Sequence, residues 1–146
     1  MSFYRISGTP NIQPLNGAAS TALVANGLVM LTSGALAKAS SAATVITGIC
    51  LETRATTDSD YASARQVTVD MLSPSSLVYC DNVTGTLTQA MEGLYLKLSS
   101  TAGVVADAGA TSATPGTAYV LLCVKFISAT SGYFMVNAMK QTASAL

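Results

Sequence analysis

Residues 26–72 read NGLVMLTSGALAKASSAATVITGICLETRATTDSDYASARQVTVDML, and the punctuation of this stretch decides the fold. A short apolar run, Leu28 to Leu31, turns at Ser33-Gly34, and a second short piece ends at Lys38. After a link of small residues comes the run from Thr44 to Glu52, with Gly48 in its middle, and then a polar loop. Gln66-Val67-Thr68-Val69-Asp70-Met71 closes the stretch, alternating apolar with polar as a strand with one wet face does. Pieces this short, turned this often, predict an all-β class. A small closed or nearly closed β-barrel manages the edges of such strands best.

The same pattern continues downstream. Leu77 to Cys80 reads as a strand after the break at Ser73-Pro74-Ser75, and Leu94, Leu96 and Leu98 alternate with Tyr95 and Lys97. The segment from Ala106 to Gly116 is rich in Gly, Ala, Thr and Ser and reads as an exposed loop. Ala118 to Ile127 is the most apolar run of the chain, continuous rather than alternating, as expected of a strand buried on both faces. A turn at Ser131-Gly132 leads to Tyr133–Met139, and the two runs should form a hairpin. One short helix is expected near Asp58 to Ala64, capped by Asp58 or Ser59.

Residues 1–22 differ from the domain that follows, 23–146. Two prolines and two glycines between Ser7 and Gly17 exclude helix and favour an extended course. Phe3, Tyr4, Ile6, Ile12 and Leu15 are too many apolar residues for a disordered tail. Two readings satisfy both features: an extended N-terminal arm that orders against a neighbour, or an arm folded back over its own barrel. On the first, these five residues form the contact with another subunit, and removing residues 2–16 leaves the barrel folded.

Composition narrows the function. Ala, Ser and Thr supply 58 of the 146 residues, small side chains that suit close, flat contacts. Seven basic and seven acidic residues make the chain 10% charged, against roughly 25% in an average domain. A surface this poor in charge, with zero net charge, is a solubility risk for a free monomer and implies cover by a partner. A neutral, Thr/Ser-coated secreted domain is the alternative. There is no Lys/Arg cluster for nucleic acid, no basic amphipathic helix, and no apolar run of the roughly 18 residues a membrane helix needs. Read as an N-terminus, Met1–Arg5 lacks the parts of a signal peptide. Cys50, Cys80 and Cys123 are odd in number and far apart, each in an apolar run where a reduced Cys acts as a small core residue. The expectation is a chain made and kept in a reducing cytoplasm.

Candidates for chemistry are few. The chain has no histidine, the commonest general base at neutral pH. No GxSxG, GxxxxGK[ST] or GxGxxG motif occurs, and no cysteine pair has zinc spacing. Asp58 and Asp60, with Glu52 nearby, form a DxD pair of the kind that can hold a divalent cation, but the rest of a ligand set is missing and an exposed turn with a helix cap accounts for them. Asn82-Val83-Thr84 matches a glycosylation sequon and reads as a turn followed by a strand start. Tyr and Phe lie dispersed along the strands rather than gathered into a platform. Neither an enzyme nor a cofactor is expected.

One order of parts carries a resemblance: an extended leader, Asn26-Gly27-Leu28-Val29, the turn Ser33-Gly34, then Ala37-Lys38-Ala39, Ile46-Thr47-Gly48-Ile49-Cys50 and Val67-Thr68-Val69. An apolar segment from Tyr119 to Val124, a turn at Gly132 and a closing strand near Met135-Val136-Asn137 complete it. Over roughly residues 23 to 140 this pattern resembles the small capsid decoration, or cement, proteins of tailed bacteriophages. The resemblance implies a small β-barrel or β-tulip-like domain that binds the outside of the expanded capsid, usually as a homotrimer, and locks capsomers together. Its partners would be the major capsid protein and further copies of itself, and its place the virion surface, after synthesis in the host bacterium. Phe3, Tyr4, Ile6, Ile12 and Leu15 are then the expected capsid or subunit contacts. A tail-tube or fibre-attachment protein is the second reading, and a carbohydrate-binding β module the third, weakened by the absence of Trp and the presence of only three Phe.

Overall fold

Strands in this chain are dealt between two sheets. The structure is a computed structural model that describes residues 3–41, 46–73, 75–99, 103–114 and 118–136. Among them the chain forms twelve strands and one 3-10 turn, Gln89–Met91, with no α-helix, so the class is all-β. A seven-stranded sheet runs, side by side, β1 (Phe3–Ser7), β7 (Leu77–Cys80), β12 (Ser131–Val136), β11 (Leu121–Ser128), β9 (Tyr95–Leu98), β10 (Ala106–Ser112) and β8 (Val83–Thr84). A five-stranded sheet runs β2 (Ile12–Asn16), β6 (Gln66–Met71), β5 (Gly48–Cys50), β3 (Leu28–Thr32) and β4 (Ala35–Lys38).

Both sheets roll, and among the described residues neither closes along a full antiparallel ladder. β7 and β8 belong to one run of chain interrupted at Asp81 and Asn82; β7 pairs with β12, while β8 pairs in parallel with β10. The seven-stranded sheet thus returns to the stretch it began from. The edges of the five-stranded sheet touch at a single parallel bridge, Gly17 to Leu36. In place of the one barrel expected from the sequence there are two rolled sheets with two cores.

Residues on β3 and β5 serve both cores. Leu28 and Ile49 join Phe3, Val78, Leu96, Leu121, Phe134 and others in the larger one. Their neighbours Val29 and Cys50 point the other way, into a smaller core with Leu23, Leu36, Val67 and Val69. Period-two geometry makes this sharing automatic, and each large side chain so buried contributes about 1.5–3 kcal/mol. Gly48 has a reason to be glycine here. A Cβ would collide with the Asp70 carbonyl oxygen and lie 2.8 Å from Val69 Cγ1, so β5 approaches β6 too closely for any side chain. The β3–β4 hairpin turns through Ser33 (φ 52°) and Gly34 (φ 82°), the doubly left-handed turn that matches strand twist.

Two local expectations change. Ala106–Ser112 is a strand, because Ala106 and Ala108 are small enough to be buried in the larger core. Residues 55–63 form successive turns rather than a helix: Asp58 N–H donates to Ala55 O, Tyr61 N–H to Asp58 O and Ser63 N–H to Asp60 O. The carbonyls of Tyr61 and Ser63 accept from the buried Arg54 guanidinium, which holds the loop in this course. Thr44 and Val45, and the end of the last strand run beyond Val136, lie outside the described residues.

Of the two courses open to the N-terminal segment, the structure has it folded onto its own domain. β1 pairs with β7 and β2 with β6, so residues 3–16 supply an edge strand to each sheet. Pro14 sits in β2, an edge strand, where its missing N–H costs no ladder bond. No helix among the described residues is long and apolar enough to cross a membrane.

Candidate functional site

Alternation along the strands of the seven-stranded sheet sends Phe3, Val78, Cys80, Leu96, Leu98, Leu121, Cys123, Phe134 and Val136 into the larger core. The residues between them must face outward. On most one-sided antiparallel sheets that outer face is polar; here it is not. Register sets Tyr4 opposite Tyr79, Tyr79 opposite Tyr133, and Tyr133 opposite Lys125, one row across four strands. A second row sets Leu77 opposite Met135 and Met135 opposite Leu122, which in turn pairs with Tyr95. Ile6, 46% exposed, extends this face on β1.

The rings are engaged along the row. Tyr4 and Tyr79 stack with centroids 6.4 Å apart, and Tyr79 meets Tyr133 edge to face at 6.0 Å. Lys125 Nζ lies 6.0 Å from the Tyr133 centroid and Lys97 Nζ 5.0 Å from that of Tyr119. Cross-strand aromatic pairs of this kind contribute about 0.5–1.5 kcal/mol each beyond their burial. The tyrosines expected to lie dispersed are therefore gathered, because Tyr4, Tyr79 and Tyr133, far apart in sequence, occupy matching register positions on adjacent strands. β11 likewise departs from expectation: Leu122 is half-buried and Val124 and Ile127 are 41% and 43% exposed, so its second face has no full cover among the described residues.

The five residues expected to make contacts do not form one group. Phe3 is wholly buried in the larger core, and Leu15 packs against the smaller one. Ile12 is 56% exposed on β2, at the edge of the five-stranded sheet. Only Tyr4 and Ile6 share a face, that of the tyrosine row.

Polar clusters elsewhere are spent on the fold. Arg5 makes a two-pronged pair with Asp70, Nε to Oδ2 at 2.8 Å and Nη2 to Oδ1 at 2.6 Å, and donates also to Ser76 Oγ and the Met71 carbonyl. This pair ties β1 of one sheet to β6 of the other. The guanidinium hydrogen bond holds the Asp70 carboxyl below its usual range, and the Arg5 pKa is raised in return. Arg65 lies between Glu52 (2.8 Å) and Asp60 (2.7 Å), and Asp58 accepts from Ala55 N–H. An arginine thus occupies the place a cation would need, and no His, Cys, Asp or Glu cluster among the described residues suits a metal. Sequence reasoning gave no hint of Arg54, which is fully buried, donates to the carbonyls of Ala18, Tyr61 and Ser63, and lies 5.8 Å from the Tyr61 ring. It fastens the 17–20 turn to the 55–65 loop.

All three cysteines are reduced and buried. Burial pushes the thiols of Cys80 and Cys123 up to about 11 and raises that of Cys50, so none supplies a thiolate at neutral pH. Among the described residues no nucleophile stands beside a base. The arrangement can adhere, through an aromatic and apolar sheet face. Compared with protein-family models, curated proteins and solved structures, the chain matches none.

Proposed function

We propose that this chain is a structural virion protein, a decoration or cement protein that binds the outer surface of an expanded phage capsid and stabilises contacts between capsomers. One observation carries the reading: the outer face of the seven-stranded sheet is lined by Tyr4, Tyr79, Tyr133, Leu77, Met135 and Leu122, which stay at least partly exposed among the described residues. A contiguous apolar face on a domain with 10% charged residues favours a partner surface over bulk water. Cementing uses many modest contacts repeated by symmetry and no reactive site, which suits a domain whose polar clusters are spent internally. The order of strand and turn elements along residues 23 to 140 supports the same reading through its resemblance to decoration proteins.

Gradient sedimentation of the purified protein with expanded and unexpanded capsids of the encoding phage tests the proposal. Saturable binding to expanded particles, at a copy number set by capsid symmetry, is the expected result. Failure to bind either particle refutes it, and a few copies per particle would favour a tail or fibre-attachment role instead. The gathered tyrosines also favour revisiting a carbohydrate module. A glycan-binding screen with a clear hit would support that reading.

A further inference from the structure

Among the outward side chains of the seven-stranded sheet, one does not match its surroundings. Lys125 lies on β11, the middle strand of the seven, with Tyr133 opposite it on β12 and the exposed Val124 and Ile127 on either side along its own strand. We propose that the partner surface covering this face carries a carboxylate, an Asp or Glu side chain set in an apolar patch, that pairs with the Lys125 ammonium. The inference rests on the capsid reading and names the chemistry the capsid protein must present there.

The disposition of charge within the chain leads to this. Its three arginines are engaged internally, Arg5 with Asp70, Arg65 with Glu52 and Asp60, and Arg54 with backbone carbonyls. Lys125 forms no ion pair among the described residues. Its ammonium lies 6.0 Å from the Tyr133 centroid, a contact that supplements hydration without replacing it. Glu92 reaches the same strand, but its carboxylate accepts from Phe126 N–H at 2.8 Å. Lys125 continues the row Tyr4, Tyr79, Tyr133, so a body seated on that row and on Leu77, Met135 and Leu122 also takes the ammonium out of water. A cation buried in this way is costly unless a counter-charge meets it, and a carboxylate supplies both the charge and the hydrogen-bond acceptors. Such a pair also fixes orientation, because apolar contacts alone tolerate sliding whereas an unmatched charge does not. Lys97, on β9, is in a different position: register sets Asp107 of this chain opposite it on β10.

Equilibrium binding of the purified full chain to expanded capsids of the encoding phage, at low and high ionic strength, tests the inference. Lys125→Met keeps the apolar stem and removes the charge, which strands the partner's carboxylate. It should weaken binding about tenfold or more and flatten the fall of affinity with salt. Lys125→Arg restores a cation and should recover most of what Lys125→Met loses. Lys97→Met removes the same charge beside Asp107 and should change affinity by less than about threefold, which separates a local pair from general attraction. Circular dichroism confirms that each variant keeps its strands. Wild-type protein that binds no capsid overturns the capsid reading and this inference with it. Wild-type binding that Lys125→Met leaves unchanged or tightens, or that Lys97→Met weakens as much as Lys125→Met does, overturns this inference alone.

Discussion

Arg5 and Asp70 decide how the N-terminal segment is held. Their side chains are only 11% and 10% exposed and share two hydrogen bonds, so removing one partner strands the other in a poorly solvated place. Asp70→Asn should cost on the order of 3 kcal/mol in chemical denaturation at neutral pH. Because the folded Asp70 carboxyl titrates below its unfolded value, its contribution is complete above about pH 4 and fades as pH falls through the lowered folded value. The acid limb of a stability–pH curve should therefore flatten in Asp70→Asn. The cysteines give a second prediction at this scale. With all three buried and none ionised at neutral pH, a thiol reagent should label the native protein very slowly and three sites after denaturation. Fast labelling of any one would contradict its place in the core.

Elements were legible wherever local pattern and tertiary role agreed. Val67 and Val69 alternate with polar neighbours because one face of β6 meets the smaller core, and the strand Gln66–Met71 could be read directly. Leu77–Cys80 and the β11–β12 hairpin were equally plain, although the hairpin turns at Ala129-Thr130 and the expected turn residues Ser131 and Gly132 belong to β12. What the sequence could not reveal is where a doubly apolar strand sends each face. β3 and β5 divide theirs between two cores, whereas β11 leaves one uncovered, and the apolar run looks alike in both cases. The tyrosine row was hidden for the same reason: register between distant strands is a tertiary fact. β10 was missed because Ala, Gly and Thr carry little hydrophobic signal even when buried. Gly48→Ala should destabilise the domain by about 1–3 kcal/mol, since β5 must move off β6 to admit the methyl group. Removing residues 2–16 takes a strand from each sheet, Phe3 from the larger core and Arg5 from Asp70. The truncated chain should lose its cooperative thermal transition rather than leave a folded remainder.

As a whole molecule, the chain combines two well-buried cores with an outside that is short of charge and, on one sheet, rich in aromatic and aliphatic side chains. Several of its ionic groups, Arg54, Arg65 and Asp70 among them, bind one another or the backbone. Such a surface gains most by being covered, and covering by symmetry-related neighbours turns weak contacts into a firm lattice. Hydroxyl-radical footprinting of the protein free in dilute solution and bound to expanded capsids tests this most directly. The account predicts strong protection of Tyr4, Tyr79, Tyr133 and Met135 on binding, with Val24 and Leu51, exposed outside that row, changing less. Protection confined to Val24 and Leu51, with the tyrosine row as reactive as in the free protein, would contradict it.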